Sequence, residues 1–349
     1  MSRQSPDTRK RGTEKVVDVY QRIFGLDRGE RYDQTDGWFP RYCGQLSEAS
    51  VAHRHVRGLH NLLGREAEGL EHKTILDLGC GFGMAAVALG VLGASSVHGV
   101  DSSMGMLKTF AAVLSDLAIP RVHPAASRAE RLCYAENSFD VVLVVEALSH
   151  FLEPWATLRE AHRVLKPGGV LVIADDNNGA NPRVIAVNQQ VWERFENGPP
   201  TENIHGHRVR VSYRERRQRI IETSFPAQPT EEVLRLANGT AFMTRADILR
   251  ACREYLDGGP APNSLFTPGR CPVEPESGQY IENVINPFDL ERELKAMGFG
   301  VQLQGYFGGE SRGGVVRAAN QALNLLLPQS LTLRVSPGYR VRAIKCGTR

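Results

Sequence analysis

Segments typical of β-strands alternate with segments typical of helices from Lys73 onward. The strand segments, rich in β-branched residues, are "TILDLG", "SVHGVD", "SFDVVLVVEAL" and "VLVIAD"; the helical segments between them are "MAAVALGVLG", "SMGMLKTFAAVLSDL" and "PWATLREAHRVL". Two strands joined through a helix of this length run parallel in one sheet. The alternation therefore predicts an α/β fold with a mostly parallel sheet and helices on both faces.

The regions before this alternation have a different pattern. Residues 1 to about 12 form a short, charged terminal segment, which we expect to be disordered. Residues 14–70 have apolar residues at helical spacing, which predicts a helical N-terminal region. The stretch "RYDQTDGWFPRYCG" inside it is rich in turn formers and is predicted to be a loop.

The alternation stops after Asp176 and returns near Asn286. Residues 181 to about 280 contain separate helical pieces, one of which begins at Ser212 with Glu215 at the spacing of a capping box. Beyond Pro287, a helix and the strands "VQLQGYF" and "YRVRAIKC" continue the α/β pattern. We expect the amphipathic helix "GGVVRAANQALNLLL" between those strands to pack on the sheet rather than to contact a membrane.

Charge and cysteine content exclude several classes of protein. The formal net charge of +3 and the pI near 8.5 are too small to indicate a nucleic-acid partner. The six cysteines are scattered without a C-x-x-C pair, which argues against zinc, disfavours a disulfide scaffold and fits a reducing compartment. No signal peptide and no apolar run long enough for a membrane span is visible, so we expect a soluble, cytoplasmic protein.

The stretch "ILDLGCGFG" places three glycines directly after a predicted strand. A dinucleotide fingerprint beginning at Gly79 would need glycine at position 84, where the chain has Met84. The Gly-Lys-Ser/Thr of a triphosphate loop is absent as well. At the end of the next strand, Asp101 provides a carboxylate that can accept hydrogen bonds from a ribose diol, which indicates an adenosine-containing ligand.

Four segments follow one another in the order "ILDLGCGFG", "VHGVDSSMGML", "AERLCYAENSFDVVLVVEALSHF" and "REAHRVLKPGGVLVIAD". Together they resemble the class I S-adenosylmethionine (SAM)-dependent methyltransferases, in particular the branch that methylates small molecules. The resemblance implies a Rossmann-like, doubly wound sheet of seven strands and SAM as the cofactor. Four regions follow from it: an N-terminal helical cap (1–70), a SAM-binding core (71–180), a largely helical insertion after the fifth strand that serves as an acceptor lid (181–285), and the C-terminal part of the core (286–349).

The resemblance assigns the methionine and ribose parts of SAM to the first motif. Asp77 would face the methionine amino group. Gly79, Gly81 and Gly83 would let the backbone pass close to the methionine and the ribose. Cys80, between two of these glycines, is included among the cofactor-binding positions, although a small packing residue would explain it equally well.

The adenine would be bound by three later segments. Ser102 and Met106 follow Asp101 and would lie beside the ring, while Ala129 and Glu130 would line its edge. Family members often have an acid before this Ala-Glu pair, but here the position is Arg128, so either a backbone carbonyl accepts from the adenine amino group or the Arg128 side chain points away. Glu146 would close the pocket after the fourth strand.

The acceptor site is less well determined. A general base helps if the acceptor is a hydroxyl that must lose its proton, and the candidates are His150 after the fourth strand, Asp176 after the fifth strand and His205 in the insertion. His207 and Asp175 are further candidates. The arginines of "HRVRVSYRERRQR" would favour an acidic acceptor if one or two of them face the pocket. We predict no metal, since no cysteine or acid completes a recognisable ligand spacing with the histidines.

Several functions stay open at this point. The leading prediction is an O-methyltransferase acting on a small molecule, as a monomer or a homodimer. The alternatives are methylation of nitrogen or carbon, and a non-catalytic SAM-binding scaffold or sensor. Met84 argues against a nicotinamide dehydrogenase, and the mild net charge argues against a nucleic-acid or protein acceptor.

Overall fold

The computed structural model describes residues 6–25, 31–32, 34–35, 37–264, 270–308 and 314–347. The chain divides into two compact units. The first contains residues 1–148, 153–176 and 287–349; the second contains residues 149–152 and 177–286.

Within the described residues, one seven-stranded sheet forms the centre of the first unit. The strands are β1 (Thr74–Leu78), β2 (Ser96–Asp101), β3 (Val122–Ala126), β4 (Phe139–Val145), β5 (Leu165–Asp175), β8 (Phe299–Tyr306) and β9 (Gly338–Lys345). They are arranged in the order β3-β2-β1-β4-β5-β9-β8. The first five are parallel to one another, and β9 pairs antiparallel with both β5 and β8. The predicted Rossmann-like, mostly parallel, seven-stranded fold is confirmed.

Helices connect these strands. They are α4 (Met84–Val91), α5 (Met104–Leu117), α6 (Pro154–Val164), α11 (Pro287–Ala296), α12 (Gly314–Leu326) and α13 (Gln329–Val335). The strands β1 and β4 are buried over nearly their whole length, because helices cover both faces of the sheet at its centre. Parallel pairing also places the carboxyl ends of β1, β2, β4 and β5 at one edge of the sheet, where ligands of such folds bind.

The N-terminal region folds as helices α1 (Pro6–Gly25), α2 (Trp38–Cys43) and α3 (Ala49–Leu63). Two predictions were wrong here. Residues 6–12 begin a helix rather than a disordered tail, because α1 buries Val16, Val17 and Tyr20 in the core of the first unit. The stretch predicted as a loop contains α2, whose Phe39 is buried and stacks on Phe24 at 5.4 Å between ring centroids.

The second unit follows β5 and is largely helical, as predicted. It contains α7 (Pro182–Asn197), α8 (Tyr213–Ser224), α9 (Thr230–Gly239) and α10 (Arg245–Leu256), together with a hairpin of β6 (Thr201–Ile204) and β7 (His207–Val209). The capping box at the start of α8 is present in both directions, from Glu215 N to Ser212 Oγ and from Ser212 N to the Glu215 carboxylate. A buried ion pair joins α8 to α7: Arg217 Nη2 lies 2.6 Å from Glu196 Oε1.

Helix α12 differs from its predicted packing. We expected its apolar face to lie on the sheet, but none of its residues is buried. Val315, Leu325 and Leu326 are 85%, 84% and 81% exposed. The sheet face near β8 is covered instead by α13, whose Thr332 and Leu333 are buried. Among the described helices, not one combines the length and the apolar character needed to span a bilayer.

Candidate active site

The loop from β1 to α4 presents backbone at the carboxyl edge of the sheet. Gly79, Gly81 and Gly83 have φ angles of 77°, 54° and 72°, in the left-handed region where other residues are strained. The amides of Gly79 and Cys80 donate to the carbonyl of Val100 at 2.8 and 3.0 Å and fix the loop to the end of β2. A Cβ placed on Gly81 would meet Met106 Sδ at 3.7 Å and no nearer atom of the described residues, so backbone is accessible there.

Gly83 has a second reason to be glycine. A Cβ at this position would lie 2.3 Å from the ring of Phe110 in α5. Packing against Phe110 therefore excludes a side chain at Gly83, whether or not a ligand approaches. The Cys80 side chain also packs inward, since its Sγ lies 3.0 Å from the position of a Cβ on Gly99 in β2. The cofactor contacts of both residues remain predictions.

Asp77 carries the strongest electrostatic feature of this edge. It is 4% exposed, accepts a hydrogen bond from the amide of Ala86 in the first turn of α4, and has an Oδ2 without a hydrogen-bond partner among the described residues. Burial, and secondly the carboxylate of Asp101, raise the pKa of Asp77 to about 7. A cationic group placed here would satisfy Oδ2 and restore the charge on the carboxylate.

Asp101 closes the edge at the end of β2. Its Oδ2 accepts from the amide of Gly81 at 2.9 Å, and its Oδ1 accepts from the amide of Ser103 at 2.8 Å. These bonds hold the carboxylate over the glycine loop. Each oxygen keeps a second lone pair, so the carboxylate can still accept both hydroxyls of a ribose.

The predicted adenine residues lie in the adjoining segments. Ser102 follows Asp101 directly, and Met106 lies in the first turn of α5, where its amide donates to Ser103 Oγ at 3.4 Å. Ala129 is 8% exposed. The Arg128 side chain is 75% exposed and points to Glu130, with Nε 3.5 Å from Oε2. Arg128 is therefore turned toward Glu130 and solvent, one of the two possibilities left open by the sequence.

These features fit the parts of SAM. The unsatisfied, buried oxygen of Asp77 suits the methionine amino group, the glycine loop lets backbone approach closely, and the anchored Asp101 suits the ribose diol. When bound, SAM supplies a methyl group activated by its sulfonium.

A cavity of about 310 Å³ opens at the same edge of the first unit. It is lined by α3, by the ends of β4, β5 and β8, and by the start of β9. The strands β1 and β4 pair in parallel, with Asp77 opposite Leu143, so the glycine loop after β1 and Glu146 after β4 follow the carboxyl ends of neighbouring strands. The cavity wall formed by Val145 and Glu146 therefore lies at the edge of the sheet that also bears the glycine loop.

Two predicted residues line this cavity. Glu146 has a φ of 49°, a conformation that is strained for a non-glycine residue and is often found at functional sites. Its Oε2 accepts from the amide of Asp176 at 3.3 Å, so the two residues are held together. Asp176 itself lines the cavity.

His55 is a cavity residue that sequence reasoning missed. Burial lowers its pKa to about 4, and its Nε2 has no hydrogen-bond partner among the described residues. Its ring lies 5.7 Å from that of Tyr20, whose hydroxyl donates to the carbonyl of Met84 at the end of the glycine loop (2.7 Å). A signal was present: Arg54 and His55 interrupt a helical stripe in α3 that otherwise contains Val51, Gly58 and Leu62.

The other two predicted catalytic residues belong to the second unit. His150 Nδ1 lies 3.1 Å from the carbonyl of Tyr280. His205 occupies the hairpin turn with Gly206, and its Nε2 lies 3.0 Å from Gln190 Oε1. His207 Nε2 lies 3.5 Å from Glu282 Oε2. Each histidine thus has a partner within its own unit, and a catalytic role for any of them remains a prediction.

Three of the six arginines in the stretch from Arg208 to Arg219 are also engaged within the second unit. Arg208 pairs with Glu202, Arg216 with Glu274 and Arg217 with Glu196. Their predicted contribution to an acidic acceptor is reduced accordingly. Among the described residues, no three or more His, Cys, Asp or Glu side chains are grouped so that they could hold a metal ion.

Comparison with known proteins identifies the family. Residues 76–173 match the family described as methyltransferase domain. The chain is 30% identical over 193 residues to methyltransferase-like protein 27 of Homo sapiens, covering 54% of this chain and 71% of that protein. The chain belongs to the class I SAM-dependent methyltransferases. This methyltransferase is thus an enzyme that uses SAM as its cofactor.

Other relatives match shorter parts. The ubiquinone biosynthesis O-methyltransferase of Caulobacter vibrioides is 34% identical over 110 residues, 32% of this methyltransferase and 42% of the relative. The chain therefore spans less than half of that curated relative. A solved SAM-dependent methyltransferase from Mesorhizobium loti is 16% identical, covers 83% of this chain and 97% of its own, and has a TM-score of 0.43, too low to support an argument.

Proposed function

We propose that this methyltransferase methylates a hydroxyl oxygen of a small molecule bound in the 310 Å³ cavity, and that His55 is the base. The observation that carries the proposal is the imidazole of His55, a partly buried residue of this cavity whose Nε2 atom is buried and unpartnered among the described residues. Burial disfavours the charged form and lowers the pKa of His55 to about 4, so the ring is neutral at pH 7 and accepts a proton only if nearby carboxylates stabilise the imidazolium.

The residues of the cavity have separate tasks in this mechanism. The apolar side chains of Val51, Leu59 and Leu62 exclude water and hold the acceptor against the edge of the sheet. Alignment of this kind can lower a barrier by about 7–11 kcal/mol. His55 Nε2 would accept the hydroxyl proton of the acceptor, whose oxygen would receive the methyl group that SAM supplies when bound, leaving SAH. The carboxylates of Glu146 and Asp176 line the same cavity and would stabilise the resulting imidazolium.

Two further observations support this proposal. The relative from Caulobacter vibrioides is named an O-methyltransferase, which favours oxygen as the acceptor atom. The volume lies at the low end of the range for small-molecule pockets, which favours a compact acceptor. We further propose that residues 181–285 act as the acceptor lid, that His150 and His205 are the alternative bases, and that the enzyme works in the cytoplasm, where its six unpaired cysteines would remain reduced.

Isotope-labelled methyl transfer into a metabolite extract tests the acceptor atom. NMR of the labelled methyl group separates O-methyl from N-methyl and C-methyl products, and we expect an O-methyl product. An N-methyl or C-methyl product would show that the acceptor atom is not oxygen. Binding of SAM without any labelled product would contradict catalysis on small molecules.

Variants then test the base with the product so identified. We expect His55→Gln to lower kcat by about 10²–10⁴ while affinity for S-adenosylhomocysteine (SAH) stays unchanged. His53→Gln is the matched control, since His53 lies on the same helix but bonds to Ala49 and Glu14. If the loss of kcat occurs instead in Asp176→Asn, His150→Gln or His205→Gln, His55 is not the base.

A further inference from the structure

The cavity contains an unusual set of buried polar atoms without partners. Arg54 Nε, His55 Nε2, Tyr339 Oη and Arg340 Nε all line it, and none has a hydrogen-bond partner among the described residues. An unmade hydrogen bond of a buried polar group destabilises the protein, and more so when the group is charged. Buried atoms of this kind in one place indicate a ligand that supplies the missing partners.

The two arginines lack a carboxylate partner among the residues that the structure describes. Neither Arg54 nor Arg340 forms an ion pair within 4.0 Å of a carboxylate in the part of the chain that the structure describes. Arg342, two residues further along β9, shows the contrast: its Nη2 lies 2.6 Å from Glu66 Oε1. The cavity therefore holds two guanidinium groups whose charge is not neutralised by a protein carboxylate at contact distance.

Arg340 is also oriented for a planar anion. Its Cζ lies 3.4 Å from the centroid of the Tyr306 ring, so the guanidinium rests on the aromatic ring. Stacking occupies the face of the guanidinium and leaves its N–H groups directed outward in the plane. In that plane a guanidinium binds a carboxylate through two parallel hydrogen bonds.

We propose that the acceptor carries a carboxylate that is bound by Arg54 and Arg340, with Tyr339 Oη as a further donor. The acceptor of this enzyme is then a small hydroxy acid, which is methylated at its hydroxyl group. This inference rests on the proposed function, because it concerns the same cavity. It uses residues of α3 and β9 rather than the arginines of the insertion.

The carboxylates of the cavity limit the charge of this ligand. Glu146, Asp175 and Asp176 line it together with the arginines. Burial, with the nearby charges of Asp175 and Glu146, raises the pKa of Tyr339 well above its usual value, so that its hydroxyl remains a donor. A ligand carboxylate, with one negative charge, meets less repulsion from these three acids than a dianionic phosphate would, and the two guanidinium groups can still bind it directly.

Matched ligands test the inference without requiring turnover. The protein is saturated with SAH, and calorimetry measures the binding of 3-hydroxybenzoate, 3,4-dihydroxybenzoate and 4-hydroxyphenylacetate, each against the amide of the same skeleton and against the corresponding hydroxybenzylamine or tyramine. We expect at least one acid to bind about tenfold or more tightly than its amide, the gain of one charge-assisted hydrogen bond. Equal affinity for every acid and its amide, tighter binding of the amines, or no binding of any acid would overturn the inference.

Variants then locate the recognition. Arg54→Met and Arg340→Met should each abolish the preference for acid over amide while SAH binds as before. Arg342→Met, on the same strand but paired with Glu66, is the control and should keep the preference. Preference lost equally in Arg342→Met would also overturn the inference. If the enzyme O-methylates neutral alcohols and binds no acid, the inference of a carboxylate is wrong but the proposed function stands. If no methylated product of any kind is formed, the proposed function itself is wrong.

Discussion

At the scale of single residues, Asp77 makes the ligand-free enzyme sensitive to pH. Its pKa is about 7 in the folded protein, against an ordinary value of 3.8, mainly because the side chain is buried. The folded state therefore holds a proton more tightly than the unfolded state. The resulting contribution to stability is fully present below about pH 4 and is lost as the pH rises through about 7.

Asp77→Asn should remove this dependence, because the amide does not ionise. We expect the ligand-free variant to melt at a higher temperature than the wild type at about pH 8, and the difference to shrink at about pH 5. Asp289→Asn, at an exposed carboxyl of α11, is the control. If the melting temperatures of the wild type and of Asp77→Asn change with pH in the same way, the Asp77 side chain does not titrate in this range.

The same residue predicts the pH dependence of cofactor binding. The ionised form of Asp77 attracts the cationic amino group, so wild-type affinity for SAH should rise between about pH 6 and pH 8. Asp77→Asn should bind more weakly at about pH 8 and lose most of that rise. Calorimetry across this range makes the measurement, and an unchanged profile in the variant would place the amino group elsewhere.

Alanine substitutions at Gly83 and Gly93 separate the energetic cost of overpacking from that of a left-handed backbone. Both have positive φ, 72° and 97°, but a Cβ at Gly83 would meet Phe110 at 2.3 Å and one at Gly93 would meet nothing within 4 Å. We expect Gly93→Ala to cost about 1–2 kcal/mol from the left-handed backbone alone. Gly83→Ala should cost about 1–3 kcal/mol more, because of overpacking.

Urea unfolding of the two variants measures the difference. Phe110→Leu combined with Gly83→Ala should recover part of the extra loss, since it removes the ring that the new methyl group meets. Equal free energies of unfolding for Gly83→Ala and Gly93→Ala would mean that the ring of Phe110 moves to make room for the new methyl group.

Sequence reasoning succeeded for residues grouped in short motifs and failed for those gathered from distant segments. Asp77, the glycines and Asp101 follow one another across two strands, so their proximity follows from parallel pairing alone. His55 joins Tyr339 and Arg340 only because α3 and β9 lie at the same edge of the sheet. Nothing in the local sequence of either segment reveals that contact.

At the scale of elements, the buried strands were the easiest to predict. The strand β4 is a continuous β-branched run, since helices cover both of its faces. The edge strand β3 was missed, because "VHPAA" has little β-branched content and contains Pro124, which an edge position tolerates. Helix α2 was missed because its six residues are too few for a periodic pattern.

The capping box of α8 gives a prediction for an element. Ser212 is 2% exposed and its Oγ accepts from the amide of Glu215 at 3.2 Å. Ser212→Ala should destabilise the protein by about 0.5–2 kcal/mol. Ser224→Ala, at the exposed last residue of the same helix, should change stability little or raise it slightly, because alanine favours helices. Denaturant midpoints compare the variants, and equal midpoints would mean that water replaces the cap.

At the scale of the whole molecule, the sequence indicated the boundaries of the second unit only in part. The end of the strand–helix alternation gave residues 181–285, whereas the compact unit contains residues 177–286 and also residues 149–152. The short segment joins through backbone pairing: the amide of Asn283 donates to Ser149 O at 2.8 Å, and that of Tyr280 to His150 O at 3.2 Å. Such pairing between distant segments leaves no periodicity in the sequence.

Because each unit has its own hydrophobic core, a destabilising change in one should leave the other intact. Arg217 and Glu196 offer the test, with side chains 1% and 6% exposed. Arg217→Met leaves the Glu196 charge buried without its partner and should cost about 3–5 kcal/mol. We expect hydrogen exchange to quicken in residues 177–264 while residues 74–175 keep their protection and SAH still binds.

Two controls separate a buried charge from a loss of packing. Arg235→Met removes an exposed ion pair with Glu232 and should change the stability little, because solvent screens that pair. Replacing both partners, as Arg217→Met with Glu196→Leu, should recover most of the stability, because no unpaired charge then remains in the core. Faster exchange throughout both units in Arg217→Met alone would show instead that the protein unfolds as one cooperative body, with the insertion and the cofactor core stabilising each other.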